Sequence, residues 1–540
     1  MPTIPPNLTS APTPAPQRND RTTFVSRVDA FVSWLVTVIP QFVLIVSNIY
    51  NNALDSYNYA VASANSAADS ATAANTSGWV SGTTYAQGVC VWSPVDFLTY
   101  RRKVAGAGTI DPSIDSTNWY CILTIMLGRS NYIGVAGQAG FGVGICPAVP
   151  AGFTTLPGFD VPSGDNYGNY KYSDGSIMVW IPAFYYKYGT GANGLAVNIV
   201  DIKPESAYAD IATANAAGYA LHRAFYDAGT VQRGVFVDKY KCSNNAGTAS
   251  SIKNGNPLSS NAANNPFSGL TGTPANAYYG AIAAAKTRGA NFFSGSIFIH
   301  GALALLALAH AQVSTSTTWC AWYHATNNFP KGCNNDALGD VNDAALTFIS
   351  TGNGTYPTAN KTGSANALAK TTHNGQNCGM ADVNGTIWEI SLGLTSDTTN
   401  YYVLKTSAAM KNITAGNTLA TDAWGATGIA ALYDNLGATF GALTASATTK
   451  NIGSASQVID AATSGNAWNI AGAGIPLAGG VGGTNAFGND GLWDYKPNEM
   501  LPFSAGSWDV SSFAGVWTLN LGNARSSSSV YLGFRSALYL

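Results

Sequence analysis

Two rows of apolar residues at seven-residue spacing constrain the first part of this chain more than any other feature. Val25, Val32, Ile39, Val46, Ala53, Ala60, Ala67 and Ala74 form one row. Val28, Leu35, Phe42 and Ile49 form the second, which slips by one position at Tyr57 and resumes at Ala64 and Ala71. Two apolar rows at heptad spacing make a coiled-coil seam, and β-branched residues in both rows favour three or more strands. The slip is a local change of supercoil, and Pro40 is expected to bend or break the first segment. The stretch VSWLVTVIPQFVLIVSNIY, Val32 to Tyr50, is also long enough for a membrane helix. Ser33, Thr37, Pro40, Gln41 and Ser47 dilute it, so an oligomeric stalk is preferred over a membrane helix or an unpaired globular one.

At 540 residues the chain exceeds one ordinary core, and three or four structural units are expected. Only 10% of residues are charged and the formal net charge is -2, which argues against a surface that tracks nucleic-acid phosphates. The abundance of Gly, small polar and aromatic residues suits loop-rich β structure. Seven scattered cysteines (Cys90, Cys121, Cys146, Cys242, Cys320, Cys333, Cys378) form no C-x-x-C pair and read as small core hydrophobes. The Pro-rich N-terminus lacks the layout of a signal peptide, so synthesis and folding in a reducing cytoplasm are expected.

The sequence reads as a multidomain α+β protein. Residues 1–22 form a Pro-rich arm suited to docking, and residues 23–77 the helical stalk. A small β module spans 78–122, with short strands such as GVCVW and FLTYRRKV between Gly, Pro and Asp turns. Residues 123–147 read as a Gly-rich connector, and 148–540 as one large loop-rich domain. Within that domain GSIMVWIPAFYYKY (175–188) and RGVFVDKYKCSN (233–244) have strand patterns. SGSIFIHGALALLALAHAQ (294–312) is apolar all round, the mark of a buried helix. The stretch 420–451 carries few regular signals and reads as long loop.

HNGQNCGMADVNGTIWEISLGL, 373–394, resembles the G-L-x-D-M-x-G-N-V-W-E-W signature of C-type-lectin-fold proteins related to formylglycine-generating enzymes. Gly379, Met380, Asp382, Asn384, Gly385, Trp388 and Glu389 match in order. The terminal LGNARSSSSVYLGFRSALYL resembles that family's closing strand, with Arg525, Gly533, Phe534 and Arg535 in place. The resemblance implies a C-terminal C-type-lectin-like domain. The Asn-Gly turn is then expected to fix a hairpin, Trp388 to fill the core, and Glu389 to be held by partners as a buried charge must be. The family's activity does not carry over: its paired-cysteine site lies near the C-terminus, and no cysteine follows Cys378 here. The five histidines show no metal-ligand spacing, and His373 in its polar surroundings reads as structural. No catalytic residue, metal site or cofactor is assigned; a calcium site would need clustered carboxylates and carbonyls.

Segments like VWIPAFYYKY, LHRAFYDAG, GVFVDKYKCS and HNGQNCGMADVNGTIWEI occur together in bacteriophage tail fibres, and the chain is also similar to phage tropism determinants, whose lectin-type domain displays a diversified surface just before the chain end. The corresponding stretch here is 507–531. Trp508, Phe513, Trp517 and Tyr531 stand there among Asp509, Ser511, Asn520 and Asn523, the make-up of a binding surface. Some of these aromatics serve the core, and the pattern does not separate them. The β module resembles the small carbohydrate-binding module of chitinases, with Trp79, Tyr85, Gly88, Val91, Tyr100, Pro112 and Trp119 matching. Trp79, Tyr85, Tyr100 and Trp119 are thus sugar-stacking candidates, or the core of a structural spacer.

These resemblances imply a homotrimeric viral tail fibre, made in the host cytoplasm and carried on the virion. The arm would meet tail or baseplate proteins, and the C-terminal domain a bacterial surface glycan or protein. No nucleic acid, membrane span, cofactor or enzymatic activity is expected. The rival readings are a tail connector without host contact and a polysaccharide depolymerase, the latter lacking an evident carboxylate pair.

Overall fold

A computed structural model describes residues 8–19, 21–74, 77–95, 99–115, 117–121, 131–272, 276–325, 335–413, 432–439, 446–452, 479–480, 488 and 490–540. It divides into two units, Met1–Leu127 and Gly128–Leu540.

In the first unit helix α1, Phe24–Ala74, runs for 51 residues and continues through Pro40. The break expected at Pro40 does not occur. Proline removes one N–H, which leaves the Val36 carbonyl short of a partner, but both residues are exposed and water can take up that bond. The described arm folds back along this helix. Thr9 N donates to Gln41 Oε1 at 2.8 Å, Gln41 Nε2 donates to Thr9 Oγ1 at 2.7 Å, and Trp34 Nε1 donates to Thr9 O at 2.8 Å. Val38, on the same stripe, is the only fully buried apolar side chain described in α1. The first heptad row stays open to solvent: Val25, Val32, Ile39 and Val46 are all more than half exposed. Side chains of 54–74, including the later heptad positions, lie outside the described residues. By length and apolarity the Phe24–Ile49 segment is also sufficient to cross a membrane.

A four-stranded sheet follows in the same unit, in the order Ser77–Gly78, Cys90–Trp92, Thr99–Arg102, Trp119–Cys121. Its core is Tyr85, Val91, Tyr100 and Trp119 with Trp79 against them.

The second unit is organised by a six-stranded sheet, ordered Phe293–Ser294, Ser536–Leu538, Gly234–Asp238, Ile177–Pro182, Asn169–Tyr172, Phe153–Thr155. Side chains alternate across a strand. Val179, Ile181, Val235 and Val237 accordingly enter the main core, while Met178, Trp180 and Phe236 enter a smaller one on the opposite face. This two-sided burial explains the nearly unbroken apolar runs in these strands. Helix α2, Ala277–Lys286, starts where Asn276 accepts from Tyr279 N at 3.0 Å. Helix α3, Ile297–Val313, is capped by Ser296 and buried along all but its last two residues. A seven-stranded sheet contains Gly491–Asp494, Leu519–Asn520, Phe503–Ser504, Trp388–Ile390 and Leu532–Gly533 as consecutive neighbours. The stretch 420–451 contains the strand Tyr433–Gly437 and most of the strand Ser446–Ile452; residues 420–431 and 440–445 lie outside the described residues.

Of the Gly-rich segment read as a connector, 123–130 lie outside the described residues, and 131–147 belong to the core of the second unit. Ile133, Phe141 and Val143 are fully buried. Distant polar side chains hold its backbone: Gly137 N donates to His310 Nδ1 at 3.0 Å, Gly140 N to Gln376 Oε1 at 2.7 Å, and Asn374 Nδ2 to Phe141 O at 2.8 Å. Glycine is needed for close approach, since a Cβ on Gly142 would lie 2.9 Å from His373 Nε2.

Candidate functional site

Two residues of the stretches that resemble the lectin-type signature, Glu389 and Arg535, meet in an enclosed ionic knot. Arg535 Nε donates to Glu389 Oε1 at 2.8 Å, and its other nitrogens donate to Lys239 O at 2.7 Å and to Ala381 O. Lys241 Nζ stands 3.6 Å from Glu389 Oε1, and His300 Nε2 stands 3.2 Å from Oε2. Burial alone would raise the Glu389 carboxyl, but the Arg535 guanidinium, with His300 and Lys241, outweighs burial and holds it well below the usual carboxylate range. For Lys241 burial wins over the pull of Glu389 and takes the ammonium down to about 8.

The Asn384-Gly385 turn does not close a hairpin. Trp388–Ile390 pairs with Phe503–Ser504 and Leu532–Gly533 instead. The turn wraps the buried lysine: Lys241 Nζ donates to Gly385 O at 2.7 Å, to Thr386 Oγ1 at 2.9 Å and to Ile387 O. Trp388 packs edge-on against Trp493 at 5.7 Å, and Arg525 lies over the Tyr278 ring at 4.4 Å. Phe534 meets Phe267 edge-on, and Gly533 passes so near Leu258 O that a Cβ would come within 2.9 Å. These residues build the fold and offer no surface.

Two of the predicted contact aromatics are core. Trp508 and Trp517 are each 5% exposed. Trp508 packs with Ile387 and Val530 and lies edge-on to Tyr531, while Trp517 joins the main core and its backbone N–H donates to Asp490 Oδ2 at 2.8 Å. The physical reason is that large rings gain most from complete burial, and the irregular backbone here turns both inward. Asp509 and Phe513 are exposed; Ser511, Asn520, Asn523 and Tyr531 are half-buried.

An exposed patch joins three of the predicted residues, Phe513, Asn520 and Asn523, to two that were not predicted, Trp493 and Tyr495. Along Gly491–Asp494 and into Tyr495, Leu492 and Asp494 are buried, Trp493 is half-buried and Tyr495 is exposed. Trp493 pairs in register with Asn520 and lies 6.0 Å from Phe513, ring to ring. Asn520 Oδ1 accepts from Gly522 N at 2.9 Å and from Asn523 Nδ2 at 3.1 Å. Phe513, Trp493 and Tyr495 thus stand beside two fixed asparagines. Two aromatics at alternate positions, Trp493 and Tyr495, were the available signal.

The second surface is a cleft of about 390 Å³, lined by Asn256, Asn264, Asn265, Thr351, Asn353 and Trp508 together with Pro257, Gly352, Ala359 and Val530. Of these only Trp508 was predicted. No lining side chain is ionisable.

In the first unit, Tyr85, Tyr100 and Trp119 are buried and Trp79 packs half-buried against them, so the four rings serve as core. Tyr85 meets Trp119 edge-on at 5.2 Å, the Arg102 guanidinium covers the Trp119 ring at 4.8 Å, and the Tyr85 hydroxyl accepts from Val80 N. So small a module has no other aromatic core to bury. Trp92, 36% exposed, lays its ring over Gly78.

Among the described residues no group of three His, Cys, Asp or Glu side chains is placed to hold a metal ion. No family model matches the chain. No curated protein matches it either. Among solved structures it is similar to a Major Tropism Determinant U1 variant at 12% identity, over 86% of this chain and 98% of that one, with a TM-score of 0.25. A likeness that low transfers neither fold nor function.

Proposed function

We propose that this chain is a bacteriophage tail fibre, carried on the virion, whose C-terminal unit is C-type-lectin-like and adheres to a bacterial surface receptor without catalysis or cofactor. The observation that carries the reading is α1 itself: a 51-residue helix whose heptad positions Val25, Val32, Ile39 and Val46 are left exposed, placed ahead of a unit that encloses Glu389 and Arg535. Three copies joined along that row make a stalk, and several receptor-binding tips on one particle raise effective affinity by orders of magnitude. The arm is assigned to tail or baseplate proteins. Exposed aromatics beside fixed small amides suit the tip, since such rings supply contact area at low entropic cost.

The test is adhesion of fluorescently labelled full-length protein to candidate host cells, compared with a Phe513→Ala, Tyr495→Ala double variant of unchanged melting temperature. Binding by the wild type that the variant loses supports the reading and locates contact at the Trp493 patch. Failure of the wild type to bind any host of the phage would replace it with the connector reading.

A further inference from the structure

The cleft beside Trp508 is built before any ligand arrives. Asn265, at a φ of 45° that asparagine tolerates, donates from Nδ2 to Asn256 O at 2.8 Å and to Pro257 O at 3.0 Å. Asn353 Nδ2 donates across the cleft to Asn264 Oδ1 at 2.6 Å, and its own Oδ1 accepts from Thr355 N and Tyr356 N. The buried Thr362 ties the same loops, its N–H donating to Gly255 O and its carbonyl accepting from Asn254 N. A wall fixed in this way loses little entropy on binding.

We infer that this cleft binds an uncharged saccharide. The inference rests on the adhesin reading only for the source of the sugar, the bacterial surface. After the loop-holding bonds are made, Asn264 keeps its amide N–H donors, Asn265 keeps its carbonyl acceptor, and Asn256 is exposed with both. A hydroxyl both donates and accepts and so matches this mixture. A phosphate or uronate would demand donors and a compensating charge, and no lining side chain supplies one. Trp508, Ala359 and Val530 give apolar lining for the C–H face of a ring. The volume of about 390 Å³ lies within the range of small-ligand sites, roughly 300–1,000 Å³.

The test uses the full-length protein on an array of bacterial oligosaccharides, neutral and anionic. Thr351→Arg, at a half-buried rim position, fills the cleft; Asn256→Ala removes one exposed amide and leaves the core intact. Neutral glycans should be retained by the wild type, at least tenfold less by Thr351→Arg, and severalfold less by Asn256→Ala, whose fold is not at risk. Binding only to anionic glycans, no glycan binding, or equal binding by wild type and both variants overturns the inference. Cell adhesion run in parallel separates the two claims. Adhesion that both variants retain, and that protease but not periodate treatment of the cells abolishes, overturns the saccharide and keeps the adhesin. Array binding of neutral glycans with no adhesion to any host supports the saccharide site and removes the adhesin reading.

Discussion

Arg535 and Glu389 sit 146 positions apart and meet at 2.8 Å with both side chains almost completely excluded from solvent. The pair joins the closing segment of the chain to the Trp388–Ile390 strand. Removing one partner strands the other charge in the interior, which costs about 3–5 kcal/mol, more than the pair itself contributes. Arg535→Met and Glu389→Ala should each lower the unfolding free energy from urea titration by that amount. A double variant that recovers much of the loss would confirm that the stranded charge is the cause. A loss under about 1 kcal/mol in either single variant would refute the assignment of this knot as the lock of the unit.

Acid should destabilise the second unit, and three histidines give the window. Burial lowers His222 to about 3, and burial likewise lowers His310 and His373 to about 4. Geometry fixes the neutral form in two of them: His310 accepts from Gly137 N and donates to Trp319 O, and His373 accepts from Met380 N and donates to Gly142 O. Each folded pKa lies below the ordinary 6.5, so the unfolded chain binds protons first as pH falls. Stability is complete above that value and declines as pH drops toward about 4, by several kcal/mol in sum. Glu389, also depressed, adds a loss of the same sign lower down, whereas burial raises Asp238 and Asp382 and works in the opposite direction. The comparison is therefore made by variant. His222→Asn keeps an acceptor for Ala224 N and cannot take a proton, so its urea midpoint should fall less than that of the wild type between about pH 7 and pH 5. Parallel falls would show that His222 is not one of the groups responsible.

Regular elements were legible where periodicity or length was strong. The apolar run at 294–312 became Ile297–Val313, and the run at 175–188 became two strands interrupted at Ala183. The burial of Glu389 was legible only through the resemblance of 373–394 to the lectin-type signature; its charge then required the partners it has. The described part of the Gly-rich segment, 131–147, proved core rather than connector because what buries it, His310, His373 and Gln376, lies far along the chain and leaves no local pattern. Helix α2 was missed although Asn276 followed by an alanine-rich run is a start signal; it lacks a polar face because it is buried on nearly every side. In 507–531 the backbone is too irregular for a period, so nothing in the sequence separated Trp508 and Trp517 from Phe513. The cleft asparagines were illegible for a similar reason: two loops about 90 residues apart meet only after folding.

Trp517 and Phe513 differ by four positions and should differ sharply on truncation. Trp517→Ala removes a buried ring from the main core and should cost about 3–5 kcal/mol, with general loss of folded protein rather than selective loss of binding. Phe513, 37% exposed, should lose about 1 kcal/mol or less on the same change. Thermal unfolding followed by near-ultraviolet circular dichroism distinguishes them, and equal shifts in the two variants would contradict the burial assigned here.

The exposed row of α1 carries the last prediction, because it separates the stalk from the membrane reading. Val32, Ile39 and Val46 lie more than half exposed, while the face bearing Trp34, Val38 and Gln41 is taken by the arm. An apolar stripe open to water is a liability unless a partner covers it. With other copies as the partner, light scattering on the detergent-free protein should give three times the 56.0 kDa chain mass. Ile39→Asp with Val46→Asp places charges in the seam and should reduce the mass toward a single chain at micromolar concentration. Gln41→Ala, which loosens only the arm, should leave the mass unchanged. A monomer that floats with neutral phospholipid vesicles, and stops floating in the double aspartate variant, would instead assign the Phe24–Ile49 segment to a bilayer and remove the stalk on which the tail-fibre reading depends.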